Sequence, residues 1–215
     1  MIERDMLHQI IPFLDRREYI AIVGPRQAGK TTFLSQLQKY LVREHGVAKN
    51  RIHLVTFEDR ILLDQFENDP VSFVRSYTQQ SDNQTTWLML DEFQYADEGG
   101  QKLKLVYDTI DKVKIIVTGS SSLEIKAQMG KYMVGRVLSF TMYPFNFGEF
   151  LMANSPRLAQ AYRQGSRVIS SWLQGETGEA VHKGEDLFHK ELIKQYEHYC
   201  IWGGYPALTS AKTDH

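Results

Sequence analysis

One cysteine, Cys200, occurs in 215 residues, so no internal disulfide can staple the chain. No apolar stretch approaches the roughly 18 residues that span a bilayer. The opening Met1-Ile2-Glu3-Arg4-Asp5 carries acid early and lacks the apolar centre of a secretory signal. These absences make the cytoplasm the expected compartment and leave no membrane partner. Charge of one sign is lacking too. Lys and Arg number 25 against 26 Asp and Glu, a formal net charge of −1 that draws in neither nucleic acid nor anionic membrane globally. None of the 7 histidines falls in H-E-x-x-H or any paired spacing, which argues against a structural zinc site. G-x-S-x-G is missing, which argues against a serine nucleophile. What remains is ordinary in amount. With 42% hydrophobic and 24% charged residues, the chain can bury one sizeable core with a small appendage.

Residues 24–32 read Gly24-Pro25-Arg26-Gln27-Ala28-Gly29-Lys30-Thr31-Thr32, a G-x-x-x-x-G-K-T phosphate loop. It follows the β-branched run Tyr19–Val23 and precedes a stretch with helical apolar spacing, Phe33, Leu34 and Leu37. Gly24 and Gly29 let backbone N–H groups face a triphosphate without an intervening side chain. Lys30 reaches the β- and γ-phosphates, and the Thr31 hydroxyl is a ligand for Mg²⁺. The new helix points its positive end at the anion. Arg26 within the loop faces solvent or a partner rather than the γ-phosphate.

Strand and helix signals alternate along the next hundred residues. A short lead-in helix is expected over 5–15 and strands over 52–57, 87–90, 114–118 and within 136–143. Asp69-Pro70 signals a helix start, with aspartate as cap and proline at the first helical position. Leu103, Leu105, Val106 and Ile110 suggest another helix, and residues 79–85 a polar loop. The alternation predicts an α/β fold, a three-layer P-loop NTPase sandwich with a mainly parallel sheet, followed by a small helical segment. The core is expected over 1–150. Residues 151–215 then form a polar excursion, loop-rich or loosely helical over 155–187, and a helix from about Leu187 to Trp202 that begins a lid or linker. The aromatics from Tyr143 to Phe150 suit a packed hinge better than a base-stacking platform.

Two further motifs fall at expected strand tips. Trp87-Leu88-Met89-Leu90-Asp91-Glu92 is a Walker-B-type strand, in which Asp91 holds the Mg²⁺ shell beside Thr31 and Glu92 orients the attacking water. GTPases carry D-x-x-G here and N-K-x-D later. The former occurs only in the polar stretch Asp97-Glu98-Gly99-Gly100, and the latter nowhere, so adenine is favoured over guanine. The second tip is Val117-Thr118-Gly119-Ser120-Ser121-Ser122. If that strand lies between the other two motifs, Ser120, or failing it Thr118, senses the γ-phosphate; a serine there also serves as helix cap. Arg136 directly precedes the last strand. It either stabilises charge on the transferring phosphate, in cis or across a subunit boundary, or pairs with a surface carboxylate.

Together with Gly135-Arg136, Tyr143-Pro144-Phe145-Asn146-Phe147-Gly148-Glu149-Phe150 and Trp202-Gly203-Gly204-Tyr205-Pro206, these motifs resemble the AAA-like ATPases of bacteria and archaea that continue into a C-terminal domain of unknown function. The resemblance runs from about Arg4 to Leu208. It implies ATP and Mg²⁺ binding, hydrolysis, and kinship with initiator-type and signalling ATPases whose core is followed by a helical lid or winged helix. A nuclease-like domain follows in that family, so the expectation is the ATPase half of a longer protein or a short relative. Homo-oligomers and further domains are the partners it implies, with nucleic acid contacted only through such domains. Three functions stay open: an ATP-hydrolysing switch or remodelling module, an ATP-binding assembly module with negligible turnover, and a small-molecule kinase.

Overall fold

Five short runs of apolar and β-branched residues form one sheet in this structure, a computed structural model that describes residues 2–78, 84–120, 122–173 and 186–207. In chain order the elements are α1 (Met6–Ile10), β1 (Tyr19–Val23), α2 (Lys30–Arg43), β2 (Ile52–Thr56), α3 (Arg60–Asn68), α4 (Pro70–Thr78), β3 (Thr86–Asp91), α5 (Gly99–Thr109), β4 (Val113–Gly119), α6 (Ser122–Tyr132), β5 (Val137–Thr141), α7 (Phe147–Asn154), α8 (Pro156–Leu173) and α9 (Asp186–Trp202). The strands run parallel in the order β2-β3-β4-β1-β5. The three inner strands are buried at every position, whereas β2 and β5 at the edges are partly exposed. That is the burial expected of a parallel sheet covered on both faces.

Period-two alternation sorts the strand residues between two cores. Tyr19, Ala21, Val23, Leu88, Leu90, Ile115 and Val117 pack with α3–α6 on one face. Ile20, Ile22, Trp87, Met89 and Ile116 pack with α1 and α2 on the other. The result is the predicted three-layer P-loop NTPase sandwich.

The irregular run before β1 is secured by a buried charge. Lys114 on β4 donates from Nζ to the carbonyls of Phe13 (2.8 Å), Arg16 (2.6 Å) and Glu18. Burial pulls its pKa down to about 8, against the opposing pull of Glu18 and Asp15. The expected lead-in helix over 5–15 is accordingly shorter. α1 ends at Ile10, and a 3₁₀ turn carrying Pro12 replaces its second half. α3 has no counterpart among the sequence expectations, although Asp59 caps it by accepting from the Ile61 N–H at 2.9 Å.

The chain divides into two units, Met6–Met142 and a second that joins the first five residues to those from Tyr143 onward. The boundary drawn at residue 150 thus falls within α7. In the second unit, the stretch expected to be loop-rich or loosely helical over 155–187 is helical over the first part that is described. Residues 156–173 are one 18-residue helix whose Leu158, Ala159 and Tyr162 pack beside Phe150 and Leu151, while Arg157, Gln160 and Gln164 are exposed. Residues 174–185 of that expected excursion, like 79–83 of the expected polar loop, lie outside the described residues. Phe147 stacks on Phe150 and meets Tyr162, Tyr196 and Tyr199, so these aromatics are a packed cluster, with Tyr143 exposed. Among the described residues, no helix is long and apolar enough to cross a membrane.

The N-terminal arm is fastened to α7 by a buried ion pair. Arg4 Nε donates to Glu149 at 3.0 Å, and Arg4 Nη2 to the Tyr143 carbonyl at 2.6 Å. Glu149 also accepts the Asp5 and Asn146 N–H groups, and the Asn146 side chain accepts the Glu149 N–H, closing a capping box. Replacing one partner of a buried pair leaves an uncompensated charge, so Arg4→Met is expected to destabilise this unit by about 3–5 kcal/mol. Amide exchange across residues 147–163 measures it, and unchanged protection would refute the role.

Candidate active site

All five strands of the sheet run parallel, so the loops following β1, β3 and β4 emerge at one end of it, where ligands bind in open α/β sheets. β4 pairs with both β1 and β3, which satisfies the condition set for its tip to act between the other two motifs. The loop itself departs from the sequence argument in one respect. Gly29 adopts φ 91° and so takes the left-handed position that favours glycine, but Gln27 at φ 62° shares that task. Gly24 serves instead through close approach: a Cβ there would lie 2.0 Å from the Met142 carbonyl oxygen, beside which the loop leaves β1.

Lys30 is buried and curls over its own loop, donating from Nζ to the carbonyls of Gly24 and Pro25, each at 2.9 Å. Burial lowers its pKa, and the carboxylates of Glu92 and then Asp91 oppose that shift. Both acids are therefore near enough to act electrostatically on the loop ammonium. Asp91, buried at the tip of β3, collects hydroxyls from two other motifs. Thr31 Oγ1 donates to its Oδ2 at 2.6 Å, Thr118 Oγ1 donates to its Oδ1, and the Glu92 N–H donates to Oδ1 at 3.1 Å. A hydroxyl and a carboxylate held together make a hard-oxygen pair of the kind that suits Mg²⁺.

Glu92 itself stands at φ 55°, in the left-handed region sparsely used by side-chain-bearing residues, where it opens the 3₁₀ turn Phe93–Tyr95. Its carboxylate accepts from Gln94 Nε2, while Gln94 Oε1 accepts the Ser120 N–H at 3.1 Å. Sequence reasoning assigned Gln94 no role. Its signal was its place at the end of Leu90-Asp91-Glu92-Phe93-Gln94, directly after the acidic pair, which the fold of the turn makes meaningful.

The structure thus gathers Lys30, Thr31, Asp91, Glu92 and Thr118, with Ser120 attached through Gln94. Of the remaining loop residues, Ala28 is buried, and Arg26, Gln27 and Thr32 face solvent. Ser121 lies outside the described residues. Arg136 is not brought to the site of its own chain. Its carbonyl accepts the Tyr19 N–H at 2.8 Å at the amino end of β1, and its guanidinium pairs with Asp108 on α5 at 3.1 Å. At about 3.3 Å per residue, the length of β1 separates it from the phosphate loop. Of the readings open for it, the pairing with a surface carboxylate is the one seen within this chain.

A phosphate loop on β1, an acidic tip on β3 and a polar tip on the intervening β4 define a P-loop ATPase domain. Residues 16–151 match the model of the AAA domain family, and the chain belongs to that family. It is similar to an uncharacterized protein of Haemophilus influenzae, 29% identical over 98% of this chain and 45% of that protein. It is also similar to an uncharacterized protein of Methanocaldococcus jannaschii, 31% identical over 64% of this chain and 28% of the other. The chain thus spans less than half the length of these curated relatives. Among solved structures, domain III of the replication initiation protein DnaA of Thermotoga maritima is similar over 93% of this chain and 94% of its own, at 15% identity and a TM-score of 0.48.

Because the Gly24 contact is with backbone, neither side can yield by a rotamer change. Gly24→Ala is expected to lower stability by about 1–3 kcal/mol, as overpacking does, and to weaken nucleotide binding in step. A urea midpoint and ATP affinity both at wild-type values would overturn the close-approach role.

Proposed function

We propose that this chain binds ATP with Mg²⁺ and hydrolyses it, acting as a nucleotide-driven switch or remodelling module. The observation that supports this most is the convergence of the Thr31 and Thr118 hydroxyls on Asp91 with Glu92 adjoining, near the loop ammonium. In this reading the loop N–H groups and Lys30 hold the β- and γ-phosphates. Thr31 and Asp91 hold Mg²⁺, which when bound supplies charge neutralisation on the phosphate oxygens. Glu92 orients a water toward the γ-phosphorus and takes up its proton. An O–P bond forms as the β–γ bridging bond breaks, leaving ADP and inorganic phosphate. The carboxylate beside the phosphate site supports water as the acceptor in this reading.

Lys30→Ala is expected to lose ATP binding. Glu92→Gln keeps the shape of the site, so it should bind ATP normally and turn over about 100-fold or more slowly, the loss typical of a removed general base. A Glu92→Gln protein that hydrolyses ATP at the wild-type rate would exclude Glu92 as base. ATP binding without turnover in this chain, and turnover in a protein of the relatives' length, would favour the assembly-module reading.

Arg136 takes part in this reading only from a neighbouring copy, since it sits at the far end of its own sheet. Arg136→Ala and Lys30→Ala should each be inactive alone. Mixed, they should recover turnover, because the Lys30→Ala copy lends its arginine to an intact loop. A mixture that stays inactive, or an Arg136→Ala protein of wild-type rate, removes Arg136 from the reaction.

A further inference from the structure

The Gln94 amide occupies a position that neither the phosphate loop nor the two acids account for. It stands on the 3₁₀ turn Phe93–Tyr95, braced by the Tyr95 N–H to the Glu92 carbonyl and the Ala96 N–H to the Phe93 carbonyl, both at 3.1 Å. Buried Phe93 and Ala96 anchor the same turn in the core. From there the side chain makes two contacts of opposite sense, donating from Nε2 to Glu92 Oε2 and accepting the Ser120 N–H on Oε1. Only a side chain carrying both a donor and an acceptor can do this. A carboxylate would repel Glu92, and a lysine or arginine could not accept from Ser120.

The neighbouring strand is shaped around that amide. Gly119 lies in β4 just before Ser120, and a Cβ on it would sit 2.6 Å from Gln94 Oε1 and 2.1 Å from Ile125 Cδ1. The amide and the end of the Ile125 side chain together fill the space that this glycine leaves. The connections close a circuit. Asp91 is bonded to Thr118, the chain runs through Gly119 to Ser120, Ser120 binds Gln94, Gln94 binds Glu92, and Glu92 returns to Asp91. With Oε2 held by Gln94, the carboxylate of Glu92 is left with its other oxygen for a further partner.

We propose that Gln94 is a positioning residue that fixes the Glu92 carboxylate for the attacking water and ties its orientation to the tip of β4. The proposal rests on the assignment of Glu92 as the base in the hydrolysis reading. Its consequence is specific to the donor half of the amide. Movement of the Ser120 segment, which directly follows β4 on the phosphate side in that reading, is passed to the base through one side chain.

Gln94→Glu separates this role from simple bracing of the β4 tip, because it retains an acceptor for the Ser120 N–H and removes the donor to Glu92. Gln94→Glu and Gln94→Ala are both expected to lower kcat about 10- to 100-fold, the scale of a misplaced reacting group, with the ATP affinity within about threefold of wild type. Single-turnover hydrolysis of bound γ-labelled ATP reads the same comparison where steady-state rates are low. Gly119→Ala is a third variant that pushes on the amide without deleting it, and meets only flexible side-chain ends. It should show the same loss of rate at unchanged affinity. If Gln94→Glu keeps the wild-type rate while Gln94→Ala loses it, the residue only braces β4 and the proposal is overturned. If Glu92→Gln is inactive and all three variants match wild type, the proposal fails alone and the hydrolysis reading stands. If Glu92→Gln hydrolyses ATP at the wild-type rate, both fail together.

Discussion

One buried carboxylate, that of Asp91, is the acceptor on which the arrangement of the site depends. An ionised group at 4% exposure needs several donors, and those available come from different parts of the chain: Thr31 from the first turn of α2, Thr118 from β4 and the N–H of its own neighbour Glu92. Each hydrogen bond to a charged acceptor contributes about 1.5–3 kcal/mol, so the carboxylate binds three segments to one point. The requirement constrains topology as well. Thr118 can reach Asp91 only because β4 is inserted between β1 and β3, and parallel strands put all three tips on one side. Lys30, drawn over the loop by the Gly24 and Pro25 carbonyls, then completes a site in which the positive and negative groups act electrostatically on each other.

Most of the sandwich was legible in the sequence because its strands are buried on both faces and therefore read as unbroken apolar runs. Trp87–Leu90 and Lys114–Thr118 announce themselves in this way, and Asp69-Pro70 marks α4 through the chemistry of its first turn. The site residues on strand tips were legible for a related reason: each follows an apolar run directly, so strand placement carries them into position. α3 and α8 were not, because an amphipathic helix with a broad polar face has the composition of a loop unless its period is tested. Gln94 was not legible because its meaning depends on a turn and on a glycine 25 positions later in the numbering, neither visible from its neighbours.

Arg136 shows what sequence position alone leaves open. Beside a glycine and just before a strand, it suits a phosphate contact as well as a surface ion pair. Strand direction favours the ion pair within one chain: the start of β5 is level with Tyr19, at the end of the sheet away from the loop. Two buried cations among the described residues outside the site behave alike. Lys114 gathers three carbonyls of the irregular run before β1, and Arg4 holds the segment around Tyr143 and Glu149. In both, the donors of one long side chain satisfy backbone or carboxylate groups that no regular element would cover.

The arm at Arg4 also sets an order of events at the ribosome. Its partner Glu149 lies 145 residues further along the polypeptide. At about 5–20 residues per second, synthesis leaves the arginine waiting on the order of 7–30 s for the carboxylate to be made. The whole sheet is polymerised in that interval, so every residue of its five strands is made before the carboxylate that fastens the arm.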